Sequence, residues 1–185
     1  MKYPTAEEIA EMKVCGYEAE TIRLAGQQME RGKEAMKLCG IIETAFHDVK
    51  LGTGIGLHEA LGLDDYANAA TCAAYREKDE KEDWRRIAAE ELNGCHSSLS
   101  FFDAEGMRFH LPAFLILELQ GFGMGITFHL AHAIVVDQTK FSLLSPEQRL
   151  SVRMFLLFLL RDPGESFDHP HIQHALDFYW VCPPS

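Results

Sequence analysis

The sequence predicts an all-α fold, and three observations carry that prediction. Apolar residues recur at helical spacing through most of the chain, the pattern of one buried helix face. Helix-start signals stand ahead of these stripes, and glycine or proline interrupts them. No alternating apolar–polar run of useful length appears, nor any fixed-period repeat. The expected architecture is a compact, bundle-like domain with a central buried helix at about 146–161.

The elements follow in chain order. Thr5, with Glu8 three residues on, has capping-box spacing and opens a short helix that Gly16 can end. A longer helix starts at about Ala19; its second half sets Leu38, Ile42, Ala45, Phe46 and Val49 on one stripe. Gly52, Gly54 and Gly56 then break the chain. LHEALGL reads as a short turn, with Asp64 or Asp65 capping a helix that carries Tyr66, Ala70, Ala73 and Ala74. After the charged run REKDEKED, Trp84, Ile87, Ala88 and Leu92 predict another amphipathic helix, stopped by Asn93-Gly94.

Pro112 divides the densest apolar segment into a short helix at Asp103–His110 and a new helix holding the proline in its first turn. Ser145, Pro146 and Gln148 are the clearest start signal, opening a helix apolar nearly all round between Arg153 and Arg161. A last helix begins at Asp168 and carries Leu176, Phe178, Tyr179 and Trp180. The expected organisation is an N-terminal helical extension (1–39), a core helical domain (40–162) and a histidine- and aromatic-rich helix docked on it (163–185).

Composition narrows the function classes. The chain has 185 residues, with 17 Lys+Arg against 28 Asp+Glu and a net charge of −11. That acidity argues against nucleic-acid or anionic-membrane partners, which call for a basic face. Ala113–Val136 is long enough to span a bilayer, but Glu118, His129, His132 and three glycines oppose it; two buried helices broken at the glycines fit better. The five cysteines (Cys15, Cys39, Cys72, Cys95, Cys182) are scattered, with no Cys-x-x-Cys, and MKYPTAEEIAEM lacks a signal-peptide core. Both point to a reduced, cytoplasmic protein.

Candidate chemistry is sparse. GTGIGLHEA is glycine-rich but follows a helix and lacks the lysine of a phosphate loop. His169, His171 and His174, near Asp168 and Asp177, are the densest set of metal-ligand types and the alternative site for a divalent metal; a polar capping turn is the leading reading. His129 and His132 read as satisfied core or interface residues. No Glu-x-x-His element, nucleophile elbow or cysteine signature occurs. Arg108, between Met107 and Phe109, is expected to be partly buried and paired, with Glu105 at i−3 the simplest partner and Asp103 or the Asp79–Asp83 cluster the others.

FHDVKLG, the acidic run ending in DWRRI, LSFFDAEGMRFHLPAFL and LSPEQRLSVRMFLLFL occur in that order. Over about residues 40–162 this set resembles an uncharacterised bacterial family, a domain of unknown function. FFDAEGMRFHLPAFL is its most specific piece. The resemblance implies a folding unit and carries over no activity, cofactor or site residue.

The resulting expectation is a protein-interaction module, immunity-like or regulatory, with an acidic surface. Asp83, Trp84, Asp103 and Arg108 are its candidate binding residues. The partner is a protein, homo-oligomerisation is compatible with it, and neither catalysis nor a cofactor is expected. The alternatives are a metal-binding protein or metal-dependent enzyme at the histidines and a small-anion binder at Arg108.

Overall fold

The computed structural model describes residues 3–135, 137–162, 164 and 166–181. Cys182 and Val136 lie outside them. The described residues form helices and turns with no strand. The helices are α1 (Ala6–Val14), α2 (Ala19–Ala45), α3 (Leu57–Asp64), α4 (Ala69–Arg76), α5 (Ala89–Gly94), α6 (Ala104–Gln120), α7 (Pro146–Leu159) and α8 (His169–Phe178).

Two helix starts follow directly from local sequence. At α1, Glu8 N–H donates to Thr5 Oγ1 at 3.1 Å, and Thr5 N–H donates to the Glu8 carboxylate at 2.6 Å. At α7, Ser145 and Gln148 make the same reciprocal pair, at 3.2 and 3.0 Å, with Pro146 in the first turn. Each box satisfies backbone donors that a helix start otherwise leaves open.

α6 is the most deeply buried element. Met107, Phe109, His110, Leu111, Phe114 and Leu115 are each 0% exposed. Each large apolar side chain so enclosed contributes on the order of 1.5–3 kcal/mol. α6 runs unbroken through Pro112, where two helices were expected. The proline forgoes only the bond to the Arg108 carbonyl, and burial on nearly every side offsets that loss. Gly121, in the left-handed region at φ 92°, ends the helix. Beyond it lie a π-helical turn at Phe128–His132 and a 3-10 turn at Ala133–Val135.

α2 packs on α6 and α7. It carries Leu38 and Ile42 into the core and passes residues 39 and 40 without a break. α7 buries Val152, Phe155 and Leu156 completely, while its outer edge leaves Leu150 49% and Leu157 41% exposed. α8 packs on the π-helical turn and α7. There Arg153 donates to the Leu176 and Trp180 carbonyls at 3.1 and 2.6 Å, and Arg149 donates to the Tyr179 carbonyl at 2.9 Å. Cations thus meet the negative end of α8.

Three local expectations are corrected. LHEALGL is a helix, α3, and Asp64 and Asp65 end it; Asn68 caps α4, accepting from Thr71 N–H at 3.0 Å. The stretch from Trp84 is a 3-10 turn (Trp84–Arg86) followed by α5, because Ile87 and Ala88 are extended. Asp168 precedes α8 but makes no side-chain cap.

Candidate functional site

The densest polar assembly surrounds the glycine-rich loop before α3. Asp103 Oδ1 accepts from Gly106 N–H at 2.8 Å, capping α6, and from Ile55 N–H at 3.0 Å. Glu105 accepts from Thr53 N–H at 3.0 Å and Thr53 Oγ1 at 2.6 Å. Arg76 donates to the Gly52 and Gly54 carbonyls and pairs with Glu59 at 2.7 Å. The Asp79 side chain is fully buried; it accepts from the backbone N–H of His58 at 2.7 Å and of Glu59 at 3.3 Å. A Cβ at Gly56 would collide with that carboxylate, so only glycine fits there.

Asp79 also lies 3.0 Å from His58 Nδ1, and Glu91 lies 3.4 Å from His58 Nε2. An imidazole oriented by a carboxylate is half of a general-base arrangement. The neighbouring nucleophile candidates are both silenced. Burial, then the charges of Glu91 and Asp79, push the Cys95 thiol up, disfavouring thiolate. Ser98 Oγ donates to the Leu57 carbonyl at 2.9 Å and is buried. His110 stacks on Phe102 with centroids 4.4 Å apart and donates from Nδ1 to the Gly106 carbonyl at 2.7 Å. Its Nε2 is sealed without a partner, and burial pushes its pKa down to about 4. These residues act as a clamp on the loop.

The candidate binding residues occupy different environments. Asp83 accepts from Arg85 Nε at 2.7 Å, and that bond holds its carboxyl below the usual range. Trp84 is core, 3% exposed, with its indole N–H donating to the Phe46 carbonyl at 3.0 Å. Asp103 belongs to the clamp. Arg108 is half-buried, its Nε is sealed without a hydrogen bond, and it has no ion pair among the described residues. None of the expected pairings forms: Glu105 and Asp103 each turn one oxygen to the loop or the α6 cap, and no ion pair joins Arg108 to them or to the Asp79–Asp83 cluster among the described residues.

The C-terminal histidines diverge. His169 Nε2 faces the Asp162 carbonyl at 3.0 Å, His171 stacks on His132 at 3.9 Å, and His174 stacks on Phe178 at 5.8 Å. Asp168 faces His132 Nε2 at 2.9 Å. No group of three or more metal-ligand side chains converges among the described residues.

What remains open is a groove of about 600 Å³ between α2 and α7. The helices run antiparallel: Gln148 Nε2 donates to the Ala45 carbonyl at 3.2 Å, and Arg31 donates to the Phe158 carbonyl at 3.1 Å. Arg31 also pairs with Asp162 at 3.0 Å and lies 4.0 Å above the Phe158 ring, pinning that end. Ile41 and Leu150, 39% and 49% exposed, supply apolar surface, and Gly40 keeps the α2 wall low. Lys37 and Glu147 are its charged lining residues.

A model described as a family of unknown function, DUF6714, matches residues 34–181. The chain belongs to DUF6714. The match takes in the groove-lining part of α2, all of α7, the loop clamp and α8, so this DUF6714 chain matches beyond the 40–162 stretch on both sides. No curated protein and no solved structure matches it. Among its described residues, no helix is long and apolar enough to cross a membrane.

Sequence reasoning missed the groove of this DUF6714 chain although its signal was present. α7 is apolar nearly all round between Arg153 and Arg161, which reads as full burial, yet Leu157 in that stretch and Leu150 two turns before it share an edge that stays exposed. Ile41, adjacent to the core residue Ile42, gives α2 the same second face.

Proposed function

We propose that the protein is a protein–protein interaction module that engages its partner through the α2–α7 groove. The observation that carries the reading is exposed apolar surface at Ile41 and Leu150 beside a densely packed core. The rival chemistries have less support, since the clamp carboxylates and His58 are occupied holding the chain together. The net charge of −11 makes any such association salt-dependent, favoured for a basic partner and opposed, until screened, for an acidic one. A regulatory or immunity-like role in the cytoplasm suits such a module, and the four cysteines among the described residues, all without a disulfide, agree with a reducing compartment.

The test is partner capture by wild type, Leu150→Glu and Phe167→Ser, the last a substitution at an 85% exposed aromatic outside the groove. A partner held by wild type and Phe167→Ser but lost by Leu150→Glu supports the reading. Equal capture by all three refutes it. A second reading, small-anion binding, is favoured at one point only, the unpaired guanidinium of Arg108. It requires inorganic phosphate to bind wild type and fail to bind a folded Arg108→Met variant.

A further inference from the structure

The lining of the groove has a polarity that identifies one occupant. Gln148 sits level with Ala45, so Glu147 marks one end of the groove. Lys37 is two turns back along α2, about 12 Å at 1.5 Å per residue. Between them lie Ile41, Gly40, Thr44 and Leu150. Among the described residues Lys37 has no ion-pair partner. The Glu147 carboxylate accepts from the Ser145 hydroxyl at 2.7 Å, which lowers its pKa, and is otherwise exposed. A free cation and a free anion thus flank an apolar centre on one surface.

A surface with that layout is complementary to itself. A two-fold axis through the Ile41–Leu150 centre sets Lys37 of each copy against Glu147 of the other, and the two apolar stripes against each other. We propose that the occupant of the groove is a second copy of this chain, forming an isologous dimer through α2 and α7. The proposal rests on the interaction reading above and names its partner. Thr44 adds no competing demand, because its hydroxyl already donates to the Gly40 carbonyl at 2.8 Å. The absence of a side chain at Gly40, where a Cβ would meet nothing within 4 Å, lets the facing helix approach closely. Leu157, two turns from Leu150 on the same edge of α7, extends the apolar seam.

The decisive experiment uses charge reversal on the full chain, by sedimentation equilibrium from about 1 to 100 μM in 0.15 M salt, where screening over about 8 Å limits repulsion between the acidic copies. Wild type should show reversible dimerisation in this range. Lys37→Glu alone places carboxylates together at both rims, and Glu147→Lys alone places ammonium groups together. Each should weaken the dimer at least about tenfold, the scale expected when like charges replace opposite ones. An equimolar mixture of the two variants restores both pairs in a heterodimer and should return the mass toward that of wild type.

Wild type that stays monomeric overturns the proposal. So do single reversals that leave dimerisation unchanged, a mixture as monomeric as its components, and a dimer that survives Leu150→Glu. Circular dichroism of each variant establishes that the exposed substitutions leave the fold intact. A monomeric wild type that still loses a captured partner on Leu150→Glu would retire self-association while leaving the interaction reading in place.

Discussion

Acid should destabilise this protein through His110. The ring is 0% exposed, and burial lowers its pKa from 6.5 in the unfolded chain to about 4. Between those values the unfolded chain binds a proton that the folded chain refuses, so stability falls as pH falls. The contribution is fully present above 6.5 and lost as pH drops through 4. The gap corresponds to about 3 kcal/mol at ~1.4 kcal/mol per pH unit, of which about 2 kcal/mol is lost between pH 7 and 5. Urea unfolding of wild type and His110→Phe at both pH values isolates the effect. Phenylalanine keeps a ring against Phe102 and cannot titrate, so the variant should lose about 2 kcal/mol less than wild type over that interval. Equal losses would refute the argument, whatever the variant's stability at pH 7. His129, lowered to about 4 chiefly by burial and then by Lys140, adds in the same direction to both proteins.

Other expectations concern the clamp and the core. Asp79→Ala leaves two backbone donors and the His58 ring unsatisfied and should cost about 3 kcal/mol in chemical denaturation, with Asp79→Asn intermediate. Gly56→Ala should cost at least about 2 kcal/mol through collision with Asp79, while Gly40→Ala, open and mid-helix, should stabilise by roughly 0.5–1 kcal/mol. Trp84→Phe removes the indole donor from the Phe46 carbonyl; it should lower stability by about 1–3 kcal/mol, read as a reduced melting temperature.

Where a helix carries its own instructions, the sequence was legible. The reciprocal caps at Thr5–Glu8 and Ser145–Gln148 lie within three residues, so α1 and α7 could be placed directly. α3 was missed because its N-terminal donors are met by Asp79, from the other side of α4. α6 was divided at Pro112 because proline's local cost is visible and the burial that outweighs it is not. Trp84 and Arg108 show the same limit from the side of function. A tryptophan beside charged residues reads as a surface anchor until its indole is found bonded to a core carbonyl. An arginine beside Glu105 reads as paired until Thr53, remote in sequence, is found holding that carboxylate. The groove depends on what α2 fails to cover, which no single segment encodes.

The loop clamp also orders events during synthesis. Thr53 lies 52 residues before Glu105, and Ile55 lies 48 before Asp103. Arg76, which holds the Gly52 carbonyl, follows after 24 residues, but at roughly 5–20 residues per second the ribosome takes about 3–10 s to make the two carboxylates that complete the latch. His58 waits only 21 residues for Asp79, so the start of α3 can be capped well before its preceding loop is fixed. A nascent chain halted before Asp103 emerges would therefore expose the Gly52–Gly56 segment to proteolysis, and one released a few tens of residues later would protect it.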